Sequence, residues 1–283
     1  MSNTTAPLPT ALRPLKRLAA FTSNLVLVLI CMLGAIAFLY PFFLGRAETG
    51  FTAAHATTAP IFFALLGPAL LIVLIAELSA GRLNTRMVAV LGVLTGVAAI
   101  LRLPAGPGDS PTFFFLIILV GYTYGARFGF LLGALALLVS ALLTGGVGPW
   151  LPFQMFVSGW MGMSAGLLGR LGKYLRAGGW VEIGILSAFG YGWGFLFGGL
   201  MNLWFWPFAP PGELGWIPGS GFQETIQQYM TFYLATSLAW DAVRAIGNAI
   251  LIALLGRTVL KELRRFRDRF WFTVNDVTSS QVT

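Results

Sequence analysis

Eight runs of apolar residues, separated by short polar or turn-rich stretches, make up most of the chain. They cover about 19–44, 59–77, 87–103, 112–126, 128–144, 151–171, 181–206 and 228–256. Each is near the roughly 17–25 residues that a helix needs to cross a bilayer, and the fourth is the shortest. The pattern predicts an all-α polytopic helical bundle of about eight transmembrane helices. Gly67-Pro68 predicts a kink in the second run. The first run is too long for a signal-peptide core and has no small-x-small cleavage site after it, so it reads as a retained span.

Between the fifth and sixth runs, Gly145, Gly146, Gly148, Pro149 and Pro152 interrupt the apolar pattern. Glycine permits positive φ and proline is tolerated in a first helical turn, so 145–155 reads as a tight reversal between two spans. It presents Trp150 and Gln154. With Ser158, these residues recur every four positions and share one face of the sixth span. Leaving Gln154 or Asn202 in lipid without a partner is costly, so both are expected to face an interior cavity. Phe113 and Phe114 at the start of the fourth span, Trp204 at the end of the seventh and Trp216 in the last loop belong to the same side. An apolar cavity with a few amides and hydroxyls suits a small, largely uncharged ring system. Interfacial aromatic belts account for the same aromatics without any ligand.

The eighth run carries Tyr233, Ser237, Asp241, Arg244 and Asn248 at helical spacing. Asp241 is expected roughly 20 Å along it, deep in hydrocarbon, where a charge needs a partner. Arg244, three residues on, can supply one. The pair then either fixes helix rotation or serves ligand binding and subunit coupling. Small residues recur at packing intervals: Gly125, Gly129 and Gly133; Gly162 and Gly166; Gly190, Gly194 and Gly198. Ala89, Gly92, Gly96 and Ala99 share a face of the third span that could dock another membrane subunit.

Composition sharpens the class. Of 283 residues 57% are hydrophobic and only 10% charged, with mean hydropathy +0.80. Soluble domains carry roughly 25% charged residues, so this is an integral membrane protein. The net charge of +8 does not point to nucleic acid, because the 18 Lys and Arg sit between apolar runs. With both termini cytoplasmic, all of these except Arg46, Arg102 and Arg244 fall on the inner side, as the positive-inside rule requires. Cys31 is the single cysteine and His55 the single histidine, so neither a disulfide nor a His-based metal site is expected. A Ser158–His55 dyad would need a loop histidine to enter the bundle. No G-x-x-x-x-G-K-[ST] loop occurs, so any ATP hydrolysis must come from a partner. No catalytic residue, cofactor or metal is expected.

Three segments carry a resemblance: Y-G-A-R-F-G-F-L-L-G from Tyr124, G-G-V-G-P-W-L-P-F-Q-M from Gly145, and G-M-S-A-G-L-L-G from Gly162. Together with S-L-A-W-D-A-V-R-A-I-G-N from Ser237, they resemble the substrate-binding S components of prokaryotic energy-coupling factor (ECF) vitamin transporters. The turn motif is most similar to the cobalamin-type branch. The resemblance spans about 87–260. It implies a six-helix S-component-like core at 81–260, preceded by a cytoplasmic segment (1–18) and an extra N-terminal transmembrane hairpin (19–80). A basic cytoplasmic tail (261–283) follows. It also implies capture of a vitamin or precursor beneath the outer loop 104–111. Release would follow docking to a transmembrane T component with two ATPase subunits, in a prokaryotic cell membrane. The family's alanine-spaced docking motif is not literally present; the face of Ala89, Gly92, Gly96 and Ala99 takes its place. A non-transporting membrane scaffold is the competing reading.

Overall fold

Helix boundaries follow from local chemistry. Asn84 begins α3 (Thr85–Leu101), its Oδ1 accepting the Met87 N–H at 2.8 Å. Pro111 opens α4 (Pro111–Tyr124), where a missing N–H costs nothing. Gly125, at φ +101°, is the whole connection to α5 (Ala126–Thr144). Gly145 ends α5 in the left-handed region at φ +65°, and the Gly146 N–H returns to the Ala141 carbonyl at 2.9 Å. Pro152 sits in the first turn of α6 (Leu151–Tyr174). The remaining helices are α1 (Leu12–Leu39), α2 (Phe51–Ser79), α7 (Gly179–Phe205), α8 (Phe222–Thr236) and α9 (Leu238–Trp271). No strand occurs among the described residues.

The computed structural model describes residues 12–43, 51–80, 83–104, 111–174, 179–209 and 214–271. Most of the loop 104–111 with Asp109 lies outside the described residues, as do Arg46, Glu48, Arg82, Arg176, Glu213 and the tail beyond 271. So do the side chains of Arg13, Lys16, Arg17, His55 and Lys173.

Helices α1 to α7 run back and forth between two ends of the bundle, α8 stays at the end where α7 finishes, and α9 returns to the other. At one end, Arg127 at the start of α5 pairs with Glu77 at the end of α2 (3.1 Å) and bonds Asn24 of α1. Nearby, the Tyr122 hydroxyl of α4 and Arg264 of α9 both donate to Glu182 of α7, at 2.7 and 2.5 Å. At the other end, Phe42 follows α1 and meets Trp206 and Trp216 after α7. There too Arg102 donates to Ser140 at 3.4 Å.

The centre is α4. Every residue from 113 to 123 is buried, so this helix is apolar all round because it has no exposed face. Its neighbours come unusually close. A Cβ at Gly121 or Gly129 would fall on the Gly162 carbonyl, one at Gly133 on the Ser158 carbonyl, and one at Gly166 on the Ala126 backbone. Glycine at these positions lets α4, α5 and α6 pack backbone against backbone.

Five stretches are long and apolar enough to cross a membrane: Phe21–Phe43, Pro60–Ser79, Ala126–Thr144, Gly179–Phe208 and Leu238–Arg269. Helices α3 and α4 are apolar but shorter. Three expectations shift. The eighth run is two helices, broken at Ser237 (φ −124°, ψ −25°), so Asp241 lies in the first turn of α9. Helix α9 continues to Trp271, so the first part of the basic tail is helical. Gly125 is a break rather than a packing position, with nothing near its absent side chain.

Candidate functional site

Helices α7 and α9 lie antiparallel, and the glycine row of one faces the polar stripe of the other. The Arg244 guanidinium donates to the Gly194 carbonyl at 3.1 Å, and the Asn248 amide to the Gly190 carbonyl at 3.2 Å. Gly198 lies against the Asp241 carboxylate, where a Cβ would collide with both oxygens. Glycine therefore does two jobs on α7: it admits α9 closely and bares carbonyls that would otherwise be covered. The periodic glycines and the periodic polar residues are two halves of one contact.

Asp241 and Arg244, exposed by only 2% and 7%, form an ion pair at 2.5 Å. The second Asp241 oxygen accepts the Tyr233 hydroxyl from α8 at 2.9 Å. The Arg244 guanidinium also lies over two rings, 5.1 Å from the centre of Phe197 and 5.6 Å from Phe114. A cation over desolvated aromatic faces adds to what the carboxylate supplies. Above this pair the Asn202 amide donates to Ser237 at 2.7 Å, and the Tyr229 hydroxyl to the Gly199 carbonyl at 2.5 Å. The α7 residues Glu182 and Gly198, sixteen positions apart, mark the two polar layers, about 24 Å apart along the helix. Asp241, in the first turn of α9, thus lies near one end of the bundle rather than midway along it.

The expected site residues divide into groups. Phe113, Phe114, Asp241, Arg244 and Asn202 gather between α4, α7 and the α8–α9 junction; Phe113 and Phe114 stack edge-on at 5.3 Å, and Arg102 lies 6.0 Å over Phe113. Trp204 is buried and packs on Phe153 of α6 at 5.4 Å. Gln154, next to Phe153, is half-buried. Ser158 is fully buried in the α5–α6 contact, and its hydroxyl has no partner among the described residues. Trp216 joins a separate aromatic cluster with Trp206, Phe232 and Phe42. Trp150 is 40% exposed, its ring lying over Gly148. The face of Trp150, Gln154 and Ser158 therefore runs from surface to core rather than along one cavity.

On α3, Ala89 and Gly92 are exposed, Gly96 is half-exposed, and neither glycine has an atom near its absent side chain. Ala99 departs from that face: it is fully buried, like Ala98, where the end of α3 meets the bundle. Sequence reasoning missed the buried Glu77 and Glu182. Each is a lone carboxylate at the margin of an apolar run, which was signal enough to expect a partner. It also missed Phe153, Phe197 and Tyr229. Among the described residues no three His, Cys, Asp or Glu side chains could hold a metal ion.

The fold and its paired polar layers define a multi-pass helical membrane protein with a buried aromatic and polar centre near one end. A family model, described as ECF transporter, substrate-specific component, matches residues 86–256, well over half of the chain. The chain belongs to that family. It is a substrate-specific transporter component, and membership implies a small-molecule substrate and association with T and ATPase components. The matched region runs from α3 into α9 and leaves α1 and α2 outside. Neither the curated proteins nor the solved structures contain a match to the chain.

Proposed function

We propose that the protein is the membrane-embedded substrate-binding subunit of an ECF-type ABC importer, capturing a vitamin or vitamin precursor at the outer face, with a cobalamin-like compound favoured. The observation that carries this reading is the aromatic and polar centre at the Trp206 end of a chain of this family. It offers rings from Phe113, Phe114 and Phe197 with a few donors and acceptors from Asn202, Ser237 and Tyr233, and Trp204 lies beyond them against Phe153. The ion pair there is internally neutralised, which suits a ligand recognised by stacking and hydrogen bonding rather than by net charge.

Orientation follows from charge. Arg127, Arg264, Arg265, Arg267 and Arg269 sit toward the Glu182 end, whereas Arg102 and Arg244 are toward the other. The positive-inside rule then makes the Glu182 end cytoplasmic, with eight crossings and both termini inside a prokaryotic plasma membrane. In this reading 19–80 is the added hairpin, 81–260 the six-helix core, and 1–18 and 261–283 the cytoplasmic ends. Trp150 and Trp216 belong to the rim of the mouth and Gln154 to its wall, while Ser158 supports the wall from behind. The open face of Ala89, Gly92 and Gly96 is the surface for the T component, with Ala99 behind it.

The test is uptake of labelled cyanocobalamin into proteoliposomes holding the full chain, the T component and both ATPases. ATP-dependent uptake is expected. Gly92→Leu with Gly96→Leu is expected to abolish it while leaving binding by the isolated chain intact. Uptake unaffected by that pair contradicts the docking assignment. No uptake of any vitamin tested contradicts the importer reading and favours a scaffold.

A further inference from the structure

The N-terminal hairpin lies outside the family-matched region, yet it touches the proposed mouth. Helix α1 ends in a single 3-10 turn, Tyr40–Phe43. From it, the Phe42 ring meets Trp216 edge-on at 5.4 Å and Trp206 at 6.0 Å. Trp206 also packs on Tyr229 and Phe232 of α8, at 5.3 and 6.3 Å, and donates its indole N–H to the Leu214 carbonyl at 2.9 Å. Both tryptophans are buried.

The described segment 214–221, by contrast, has little structure of its own. It contains Gly215, Pro218 and Gly219, the last at φ +86°, and one internal backbone hydrogen bond, Ser220 to Ile217 at 3.3 Å. Its C-terminal part is tied to α8 by the Gln228 amide donating to Ser220 (3.4 Å) and the Gly221 N–H donating to Glu224 (3.3 Å), which leaves the placement of Trp216 to the aromatic contacts around it. The hairpin that supplies one of those contacts is itself held firmly. Glu77 takes Ser23 and Arg127 at the far end. One turn before Phe42, Phe38 closes on Phe153 at 5.3 Å, joined by Phe62 of α2 at 5.6 Å, and further along α1 Gly34 allows close approach to Phe156 and Trp160.

We propose that Phe42 is a positioning residue for the substrate mouth. Through it the hairpin holds Trp216 and the 214–221 segment in place as a wall, and so sets how long substrate is retained. This rests on the outward-facing binding site proposed above. Trp206 is one turn beyond Asn202, and Tyr229 and Phe232 flank the Tyr233 that caps Asp241. A loosened Phe42 is therefore felt at the site itself.

The experiment uses the full chain in proteoliposomes, with chymotrypsin added outside to cut at Leu214, Trp216 or Phe222. Phe42→Ala is expected to speed that cleavage about 5-fold or more, because proteolysis follows the population of the open form. It is also expected to speed cyanocobalamin dissociation about 10-fold, the effect falling on the off-rate. Phe42→Tyr, which keeps the ring, is expected to restore both, separating positioning from folding. Unchanged cleavage in Phe42→Ala overturns the proposal, and faster cleavage with unchanged dissociation overturns its link to retention. If the unaltered chain binds no cyanocobalamin, the cobalamin preference fails. The wall is then judged on the protease result and on dissociation of whichever vitamin co-purifies.

Discussion

Asp241 and Arg244 are the residues on which the α7–α9 contact turns. Their attraction offsets two desolvation costs, so removing one partner leaves an uncompensated buried charge, a change of about 3–5 kcal/mol. Arg244→Met is therefore expected to lower the thermal unfolding temperature of the purified protein strongly. Arg244→Met with Asp241→Asn is expected to recover much of that loss, since no lone charge remains. Equal loss in the single and double variants would mean that the pair acts through packing alone. Gly198→Ala belongs with them, because its methyl group would occupy the space of the Asp241 carboxylate. Both the polar stripe and the glycine row are legible in the sequence as periodicities. That one faces the other is not, because nothing local tells Gly194 that its carbonyl will meet an arginine fifty positions later. Trp150 shows the converse limit. Its spacing with Gln154 and Ser158 is real, but the turn before α6 folds the indole back over Gly148, toward the surface.

Among the elements, α5 and α6 show how little room glycine packing leaves. A side chain at Gly129 or Gly162 would strike the facing backbone, which cannot move aside as a flexible side chain can. Overpacking of this kind costs about 1–3 kcal/mol, and more where backbone must shift. Gly129→Leu is expected to destabilise the protein markedly, whereas Gly92→Ala, which opens onto empty space, should leave the unfolding temperature unchanged or slightly raised. Comparable losses at both sites would contradict the assignment of one glycine set to the core and the other to an outer face.

The sequence pattern predicted most helices within a few residues, but not the division of the eighth run into α8 and α9. No proline or glycine marks the break. Thr236 bonds back to the Phe232 carbonyl at 2.8 Å, and Ser237 takes the Asn202 amide. Such hydroxyls bend a helix when tertiary partners draw on them, a signal that α8 and α9 alone cannot show.

At the scale of the whole molecule, the structure is a bundle with a polar layer near each end. The proposed cytoplasmic side rests on arginines that the sequence already displayed, and the family on the match over 86–256. What was not legible was the attachment of the hairpin. Its two apolar runs were visible, but the pairing of Glu77 with Arg127 and the docking of Phe42 depend on contacts across the fold. Those contacts tie α1 and α2 to α5, α6 and the segment after α7.

The proposed function requires a substrate held near the Asp241 end of the bundle. The measurement that tests this most directly is mass-spectrometric identification of what remains bound to the full chain purified alone. A single vitamin-class compound is expected near one molecule per chain, a corrinoid by preference, displaced by excess unlabelled ligand. A chain that carries nothing, and takes up none of the vitamins supplied to it, contradicts the proposed function.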